Sequence, residues 1–402
     1  MRLGISSRIS LINEVAWARF AGRVFIEREG FKSASNEERI LYVANSYLPT
    51  LQLSFGKPLQ LLVGNGCIAT ELLSELQLRM RFGNRILGKK STDWVLNRIK
   101  QFNPTLVVFC RYSGPHVELI IEIARAAGVP TIFHVDDDLL NVPIEIGKEK
   151  YAYHNEPSRL AAVRYLLRHV DLVYCSTAPL KRRLLAHTEN ILIEEGKIYC
   201  SGEVIVPAFN RPVRKIGYMG FDHAHDFEIA LPAIIQILRR HSWIEFELFG
   251  SIPKPASLNE FRSRVRVIPP EPHYKEFMKK LASLDWDIGI CPLADTDFNA
   301  VKANTKWVEY TSVGAAVICS SGMIYDECCD DGCGLLVSTS DDWVSAIESL
   351  IVDSTRRFQL VLNAQHRLEE AYSVNNLRNQ VINIFQRARE IARLRNKSAE
   401  SS

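Results

Sequence analysis

The chain has 402 residues, 47% of them hydrophobic, and its 49 Lys and Arg against 46 Asp and Glu leave a formal net charge of +3. The apolar fraction excludes a disordered chain, and the nearly neutral charge argues against nucleic acid as a partner. At roughly 100 to 200 residues per domain, this length predicts two or three domains. We find no run of the ~20 apolar residues that a membrane span needs. Four arginines interrupt the first 25 residues, which are therefore predicted to be neither a signal peptide nor an anchor.

The predicted elements of the first half alternate short apolar strands with amphipathic helices. The first 100 residues carry mixed helix and strand signals. After them, strands are predicted at residues 105–110, 131–135 and 172–175, separated by helices whose apolar residues keep helical spacing. Repeated β-α-β units predict a parallel sheet that helices cover on both faces.

Two prolines in the irregular stretch 206–212 interrupt this alternation and predict a domain boundary. Beyond it the predicted strands lie at 215–219, 244–249, 265–268, 287–291, 316–319 and 334–337, with helices at about 274–284, 301–313 and 341–351. We therefore predict an α/β fold of two Rossmann-like, doubly wound parallel-sheet domains facing a cleft, at residues 1–208 and 209–395. A disordered tail is predicted at 396–402. Ligands bind such sheets at the carboxyl ends of their strands.

The stretch from 291 to 317 is the most informative part of the sequence, because a strand, a loop and a helix follow one another there. On the predicted helix 301–313, Lys302, Lys306 and Glu309 share one face. Two lysines at a helix amino end predict a phosphate or diphosphate site, and Glu309 would accept hydrogen bonds from hydroxyls such as those of a ribose. The alternative is the solvated face of an amphipathic helix, tied by ion pairs.

This pattern resembles the GT-B glycosyltransferases near glycosyltransferase family 4, in particular a bacterial polysaccharide-assembly branch. The matching residues are Phe298, Asn299, Lys302, Lys306, Glu309, Tyr310 and Gly314. The resemblance covers roughly residues 104–350. It implies an acceptor-side first domain and a nucleotide-sugar donor domain in second place, with Glu309 on the nucleotide ribose. It also implies hexosyltransferase-like activity with retention of configuration, without a metal and without a cofactor beyond the donor substrate.

The loop after the predicted strand 215–219 reads GYMGFDHAHDFEIA. Gly217 and Gly220 would let the backbone approach a ligand closely. We expect His225 and Asp226 to face the cleft or cap the following helix, and we assign Gly220, His225 and Asp226, together with Asn299, to the donor site. The alternative for His223 and His225 is a metal pair, for which no third ligand is evident.

Polar side chains also follow two strands of the first domain. The resemblance aligns His134 with a histidine that contacts the donor sugar, although a packed core residue is the alternative. Asp136 is predicted as a base or acceptor ligand, and Asp138 and Arg111 as substrate-binding residues, with Arg111 holding an anionic sugar or phosphate. The alternatives are a metal-binding Asp-x-Asp or a helix-end cluster for the aspartates, and an interdomain ion pair for Arg111.

The segment 79–100 carries seven Lys and Arg against Asp93, interleaved with Met80, Phe82, Ile86 and Leu87. Such a segment could rest on an anionic membrane surface; an ordinary solvated face is the alternative. The nine cysteines favour free thiols in a reducing cytosol. A zinc site at Cys328, Cys329 and Cys333 is disfavoured, because a fourth ligand is missing at ligand spacing.

Together with these patterns, the resemblance implies a glycosyltransferase that moves a sugar from a nucleotide sugar to a surface polysaccharide or glycolipid, as in lipopolysaccharide or capsule assembly. His134, Asp136 and Lys306 would be catalytic, with Lys306 stabilising the leaving group. The expected location is the cytoplasm, as a peripheral protein on the inner face of the plasma membrane. Two alternatives are a nucleotide-sugar epimerase and a non-catalytic scaffold that binds glycan or nucleotide; Val301, where relatives carry a glutamate, favours the scaffold.

Overall fold

The computed structural model describes residues 38–189, 191–200, 203–221, 224–271 and 273–400. These residues form two compact units. The first comprises the described residues up to Val142, Glu149–Ile198 and the residues from Leu377 onward; the second comprises Pro143–Lys148 and Tyr199–Asn376. Each unit contains one six-stranded sheet, so the predicted fold class of two doubly wound parallel-sheet domains is confirmed.

The sheet of the first unit is entirely parallel in its described pairings, and its strands are ordered β2-β1-β3-β4-β5-β6. The strands are β1 (Glu38–Ala44), β2 (Ile68–Ser74), β3 (Leu106–Cys110), β4 (Thr131–Val135), β5 (Leu172–Cys175) and β6 (Leu192–Glu195). Strands β3, β4 and β5 are buried along their whole length. That burial explains why they are continuous apolar runs in the sequence.

Helices connect these strands across both faces of the first sheet. A short helical turn, Pro49–Leu51, continues through a π-helical turn, Gln52–Gly56, into the first full helix. The helices are α1 (Lys57–Gly64), α2 (Glu75–Phe82), α3 (Lys89–Phe102), α4 (Val117–Ala126), α5 (Lys148–His154), α6 (Pro157–His169) and α7 (Ala178–Leu184). Helix α2 starts after Ser74 because a capping box forms there, in which Gln77 N donates to Ser74 Oγ at 3.2 Å.

The sheet of the second unit has the order β12-β11-β10-β7-β8-β9. Its strands are β7 (Lys215–Gly220), β8 (Glu245–Gly250), β9 (Val265–Ile268), β10 (Ile288–Cys291), β11 (Ala316–Ser320) and β12 (Leu335–Val337). Its helices are α8 (Ala224–Arg240), α9 (Tyr274–Leu284), α10 (Thr305–Ser312), α11 (Asp326–Cys329), α12 (Ser340–Val352) and α13 (Ser354–Tyr372). Successive strands are added on one side of β7 up to β9 and on its other side from β10 onward. The switch point between β7 and β10 opens a crevice for ligands at the carboxyl ends of the strands.

The last helix, α14 (Val374–Glu400), belongs to the first unit, whereas the sequence reading placed residues up to 395 in the second domain. Its apolar stripe packs into the core of the first sheet, where the rings of Phe385 and Phe55 stack at 6.1 Å. Near its end, Arg395 Nη1 bonds to Asp171 at 2.6 Å. These contacts keep the chain helical to residue 400, so the disorder predicted from 396 onward is not observed over the described residues.

The second unit also begins earlier than the predicted boundary at 206–212, since it takes up the chain at Tyr199. In this stretch, the carbonyl of Ile205 accepts a hydrogen bond from Gln365 Nε2 of α13 at 2.8 Å. The backbone N–H of Ile205 donates to Ser312 O. The segment is therefore held against the second unit. None of the described helices is both long and apolar enough to cross a membrane.

Candidate functional site

The candidate site of the second unit lies at the carboxyl ends of β7 and β10, on either side of the switch point. Lys306 is in the first turn of α10, the helix that follows β10. Its Nζ lies 3.3 Å from the hydroxyl of Tyr218 and 4.6 Å from the centre of the Tyr218 ring. Burial lowers the pKa of Lys306, while Cys291, Asp226 and other neighbouring groups raise it. The result is a cation held over an aromatic face at a helix amino end.

Glu309 lies one turn further along α10 and is 6% exposed. Tyr274, the first residue of α9, is a neighbour of this carboxyl group. Burial raises the pKa of Glu309 to about 8, although the neighbouring Tyr274 hydroxyl and the charge of Lys306 lower it. This carboxyl group therefore changes its charge near neutral pH.

Lys302 is not on the same helix, so the predicted common face of Lys302, Lys306 and Glu309 is wrong for this residue. Helix α10 begins at Thr305, and Lys302 ends a preceding 3₁₀ turn, Asn299–Val301, with an extended ψ of 164°. Asn304, just before the helix, is held by a distant part of the chain, since its Nδ2 donates to the Tyr372 hydroxyl at 2.8 Å. Lys302 Nζ instead lies 5.0 Å from the ring centre of Phe298.

Asp226 and Asn299 are brought together and brace the loop that follows β10. Asp226 is fully buried in the first turn of α8, and its Oδ1 accepts hydrogen bonds from Ala294 N at 2.8 Å and Asn299 Nδ2 at 3.1 Å. His225 Nε2 lies 3.3 Å from the same oxygen. The expectation that Asp226 faces the cleft therefore needs correction, since the residue is fully buried and fixes a loop.

The two glycines of the β7 strand have different roles. Gly220 ends β7, and its carbonyl accepts a hydrogen bond from Ser251 N at 3.1 Å. A Cβ at the neighbouring Gly250 would lie 2.1 Å from that carbonyl oxygen. At Gly217, a Cβ would come within 1.9 Å of the Trp286 ring. Gly217 is therefore required for core packing, which corrects the expectation that it lets a ligand approach.

In the first unit, Arg111 and Asp136 meet at the carboxyl ends of β3 and β4. Arg111 Nη1 bonds to Asp136 Oδ1 and lies 2.8 Å from Asp137 Oδ2. Asp136 also accepts a hydrogen bond from Thr50 Oγ1 at 2.8 Å. The two aspartates raise the pKa of Arg111 against the effect of burial. Arg111 thus pairs within its own unit, which corrects the alternative of an interdomain ion pair.

Asp138 and His134 are held inside the fold of the first unit. Asp138 accepts hydrogen bonds from Leu140 N at 3.2 Å and Asn141 Nδ2 at 2.9 Å, and Arg183 lies 3.2 Å away. His134 is 0% exposed, with Nδ1 3.1 Å from Tyr174 O and Nε2 2.9 Å from Ser54 Oγ. Burial lowers the pKa of His134 to about 3. The packed-core alternative describes this histidine, because both ring nitrogens already bond within the protein.

Sequence reasoning missed three residues of these sites. Tyr218 and Tyr274 complete the surroundings of Lys306 and Glu309, and their spacing from the lysine and the glutamate gave no signal. Asn45 follows β1, which lies in a stretch where the sequence indicates a first strand without fixing its ends; its Nδ2 lies 3.2 Å from both Arg111 O and Ser113 Oγ. A polar residue directly after an apolar run is the signal that would have identified Asn45.

His223, the other half of the considered metal pair, lies outside the described residues. Among the residues that the structure describes, no group of three or more His, Cys, Asp and Glu side chains is placed to hold a metal ion. Cys328, Cys329 and Cys333 are buried free thiols.

The basic segment 79–100 forms α2, a turn and α3. Its exposed residues include Arg79, Met80, Arg81, Arg85, Leu87, Lys89 and Lys90, with Leu87 73% exposed. Trp94 is partly buried and receives the edge of the Phe82 ring at 6.0 Å. Cations and two large apolar side chains therefore share one accessible part of this segment.

Comparison with known proteins shows which fold the chain adopts. No protein-family model and no curated protein matches the chain. Among solved structures, HepE of Anabaena, crystallised with UDP and glucose, matches with a TM-score of 0.61 at 14% identity, over 87% of this chain and 100% of HepE. A glycosyltransferase of Rickettsia africae matches with a TM-score of 0.60 at 13% identity, over 88% of this chain and 99% of its own. Sucrose-phosphate synthase of Thermosynechococcus elongatus gives 0.59 at 12%, over 87% and 98%. The chain therefore has the GT-B fold of these glycosyltransferases.

Proposed function

We propose that this protein is a glycosyltransferase that transfers a sugar from a nucleotide-sugar donor. The observation that carries the proposal is the pairing of Lys306 and Glu309 on α10, at the switch point of the second sheet. A cation and a carboxylate one helical turn apart suit a diphosphate and a ribose, which are neighbours in a nucleotide sugar. Solved structures of the same fold support the donor class, since HepE was crystallised with UDP-glucose.

In this proposal the second unit supplies the electrostatics of the reaction. The bond between the anomeric carbon and the diphosphate oxygen breaks, and that oxygen keeps the electron pair. Lys306 and the amino end of α10 stabilise the growing negative charge, while Lys302 adds a second cation. The acceptor hydroxyl bonds to the anomeric carbon and gives its proton to the departing diphosphate, with retention and without a metal or cofactor. Asp226 and Asn299 hold the loop after β10, and Gly220 and His225 line its neighbourhood.

We further propose that the first unit takes the acceptor, a surface polysaccharide or a glycolipid. Arg111 and Asp136 sit at the carboxyl ends of adjacent strands, where α/β sheets bind ligands. The guanidinium of Arg111 would hold an anionic group of the sugar acceptor. Asp136, fixed by Thr50, would accept a hydrogen bond from a hydroxyl of that sugar acceptor. Asp138 supports this edge through its bond with Arg183 rather than through direct contact.

The exposed basic segment 79–90 supports a location on the inner face of the plasma membrane. Each basic residue near an anionic surface adds about 1 kcal/mol of attraction. Leu87 and Met80 are exposed among the five exposed Lys and Arg residues of this segment. Binding to vesicles with and without phosphatidylserine, for wild type and Arg85→Glu/Lys89→Glu, tests this location. Equal sedimentation of wild type with neutral and anionic vesicles would refute the proposed location on the membrane.

The donor proposal is tested by nucleotide binding and turnover of Lys306→Met. Screening nucleotide sugars by thermal shift identifies the donor, because a specific ligand stabilises the folded protein. Loss of the charged hydrogen bond should weaken binding of that donor about 10- to 100-fold and abolish transfer. Lys279→Met, which removes an exposed lysine paired with Glu276, is the matched control and should behave like wild type.

Each result of that experiment has a consequence. A wild type that shifts with no nucleotide sugar, together with an inert Lys306→Met variant, would refute the enzyme. A wild type that binds a donor but neither hydrolyses nor transfers it would identify a scaffold, the alternative that the buried, uncharged Val301 favours.

A further inference from the structure

An exposed aromatic ring lies beside the polar edge of the first sheet. Tyr153, near the end of α5, is 40% exposed. Its hydroxyl donates to Glu75 Oε2 at 3.4 Å, and the guanidinium carbon of Arg159 lies 3.6 Å from the centre of its ring. The ring of His154 meets it almost at a right angle, at 5.1 Å. Because the guanidinium covers one face of the Tyr153 ring, the accessible surface is the rest of that ring, held in a fixed position.

Hydrogen bonds connect this ring with the surroundings of Arg111. Arg159 donates to both carboxylate oxygens of Glu75, at 2.7 and 3.0 Å, and to Ser113 Oγ at 3.1 Å. Asn45 Nδ2 lies 3.2 Å from Ser113 Oγ and from Arg111 O. Asn45, Glu75 and Ser113 follow β1, β2 and β3, which are neighbours in the sheet. A continuous polar strip therefore runs along the carboxyl ends of these strands, where α/β sheets bind ligands.

The exposed end of the polar strip carries groups that can bind a sugar. Arg79, whose side chain is 50% exposed, bonds to Glu75 Oε1 at 2.6 Å, so that Arg79 and Tyr153 are held on the two oxygens of one buried carboxylate. The C–H groups of a pyranose ring favour the electron-rich face of an aromatic ring. Its hydroxyls can accept from a guanidinium and donate to a phenol oxygen. A stable protein interface buries roughly 800 Å² per partner, far more than one exposed ring supplies.

We propose that Tyr153 and Arg79 form a second sugar subsite of the acceptor site, in which the sugar unit next to the glycosylated one stacks on the Tyr153 ring. The inference rests on the proposed function, because it takes the carboxyl edge of the first sheet as the acceptor site. The terminal sugar lies at Arg111 and Asp136, and the second unit lies at the other end of the polar strip. An acceptor of two or more sugar units therefore binds better than a monosaccharide.

The test compares an oligosaccharide with its own terminal sugar. An array of lipopolysaccharide-core and capsular oligosaccharides identifies one that binds wild type, and calorimetry then gives Kd for it and for the methyl glycoside of its non-reducing terminal unit. Tyr153→Ala should weaken the oligosaccharide about 3- to 10-fold and leave the methyl glycoside within about twofold of wild type. Tyr153→Phe keeps the ring and should lose less affinity than Tyr153→Ala.

The chain offers a matched control and a second variant. Tyr151→Ala removes a tyrosine of the same helix that is 39% exposed and lies outside the polar strip; it should change neither Kd. Arg79→Gln alters the subsite without touching the aromatic ring and should also weaken only the oligosaccharide, about 3- to 10-fold. Urea denaturation of each variant separates these results from a loss of structure.

The outcomes distinguish this inference from the proposed function. If Tyr153→Ala and Arg79→Gln weaken both sugars equally or neither of them, or if Tyr151→Ala acts like Tyr153→Ala, the second subsite is refuted while the acceptor site stands. If no oligosaccharide of the array binds wild type, the subsite and the acceptor site fail together. The donor proposal is measured separately, because Tyr153→Ala should leave the Kd of the nucleotide sugar unchanged.

Discussion

Removing one partner from a buried ion pair in the first unit should cost a large and pH-dependent part of its stability. Glu75, 3% exposed at the start of α2, receives two hydrogen bonds from Arg159, at 2.7 and 3.0 Å. Arg159 also donates to Ser113 Oγ and lies 3.6 Å from the centre of the Tyr153 ring. Arg159→Met leaves the carboxylate buried without this partner, and the typical cost is about 3–5 kcal/mol. Because Arg79 still contacts Glu75, we expect about 3 kcal/mol.

The pH dependence gives the sharper signature. In wild type the arginines lower the pKa of Glu75, so the pair contributes stability above the ordinary carboxyl pKa and loses it as pH falls through the lowered value. In Arg159→Met, burial dominates and raises that pKa. The deficit of the variant should therefore shrink as pH falls from 7 toward 5, because the carboxyl takes up a proton.

Urea denaturation with hydrogen exchange at the amides of the first sheet measures this deficit. The double variant Arg159→Met/Glu75→Gln removes the buried charge as well and should recover more than half of the lost free energy at pH 7. A deficit that is independent of pH, or a double variant as unstable as the single one, would refute the argument that an uncompensated charge causes the loss.

Three further predictions concern packing and burial. Gly217→Ala should destabilise the second unit by about 1–3 kcal/mol, since its Cβ would overlap the Trp286 ring; a urea midpoint equal to wild type would contradict this. Phe385→Ala should cost about 3–5 kcal/mol and increase hydrogen exchange in the first sheet, not the second. The depressed pKa of His134 makes the unfolded state bind a proton that the folded state excludes. The free energy of unfolding of wild type should therefore fall by up to about 1.4 kcal/mol per pH unit as pH falls from 6.5 toward about 3, and His134→Phe should flatten this slope in a pH series of unfolding curves.

The sequence predicted the strands best where they are buried on both sides. Every predicted strand from 105 onward agrees with the structure within one residue at each end. Except for β9 and β12, these strands are buried along most of their length, and a buried parallel strand is a continuous apolar run. Strand β2 was missed because Glu71 interrupts it and its middle is only partly buried. The edge strand β6 contains the acidic pair Glu194 and Glu195, so its pattern is too short and polar to detect.

The candidate site was predictable to the extent that it is local. Lys306 and Glu309 were found because they follow a strand at helical spacing. Lys302 was assigned to the wrong element, because the helix begins only at Thr305, next to Asn304, whose side chain bonds to Tyr372 far along the chain. Tyr274 could not be found for the same reason, because it approaches Glu309 from another helix. His134 was assigned to a site, although Ser54, from a distant π-helical turn, holds it in the core.

The return of the chain to the first unit through α14 affects how the protein folds during synthesis. The core of the first sheet needs Val381 and Phe385, which a ribosome makes after the whole second unit. Until then the nascent first unit lacks one side of its core, and incomplete cores expose apolar surface that aggregates. Apart from Pro143–Lys148, which is made earlier, the second unit is one continuous segment from Tyr199 to Asn376 and can fold as soon as it has left the ribosome. Long-range contacts of this kind slow folding, so we expect the first unit to reach its native state last.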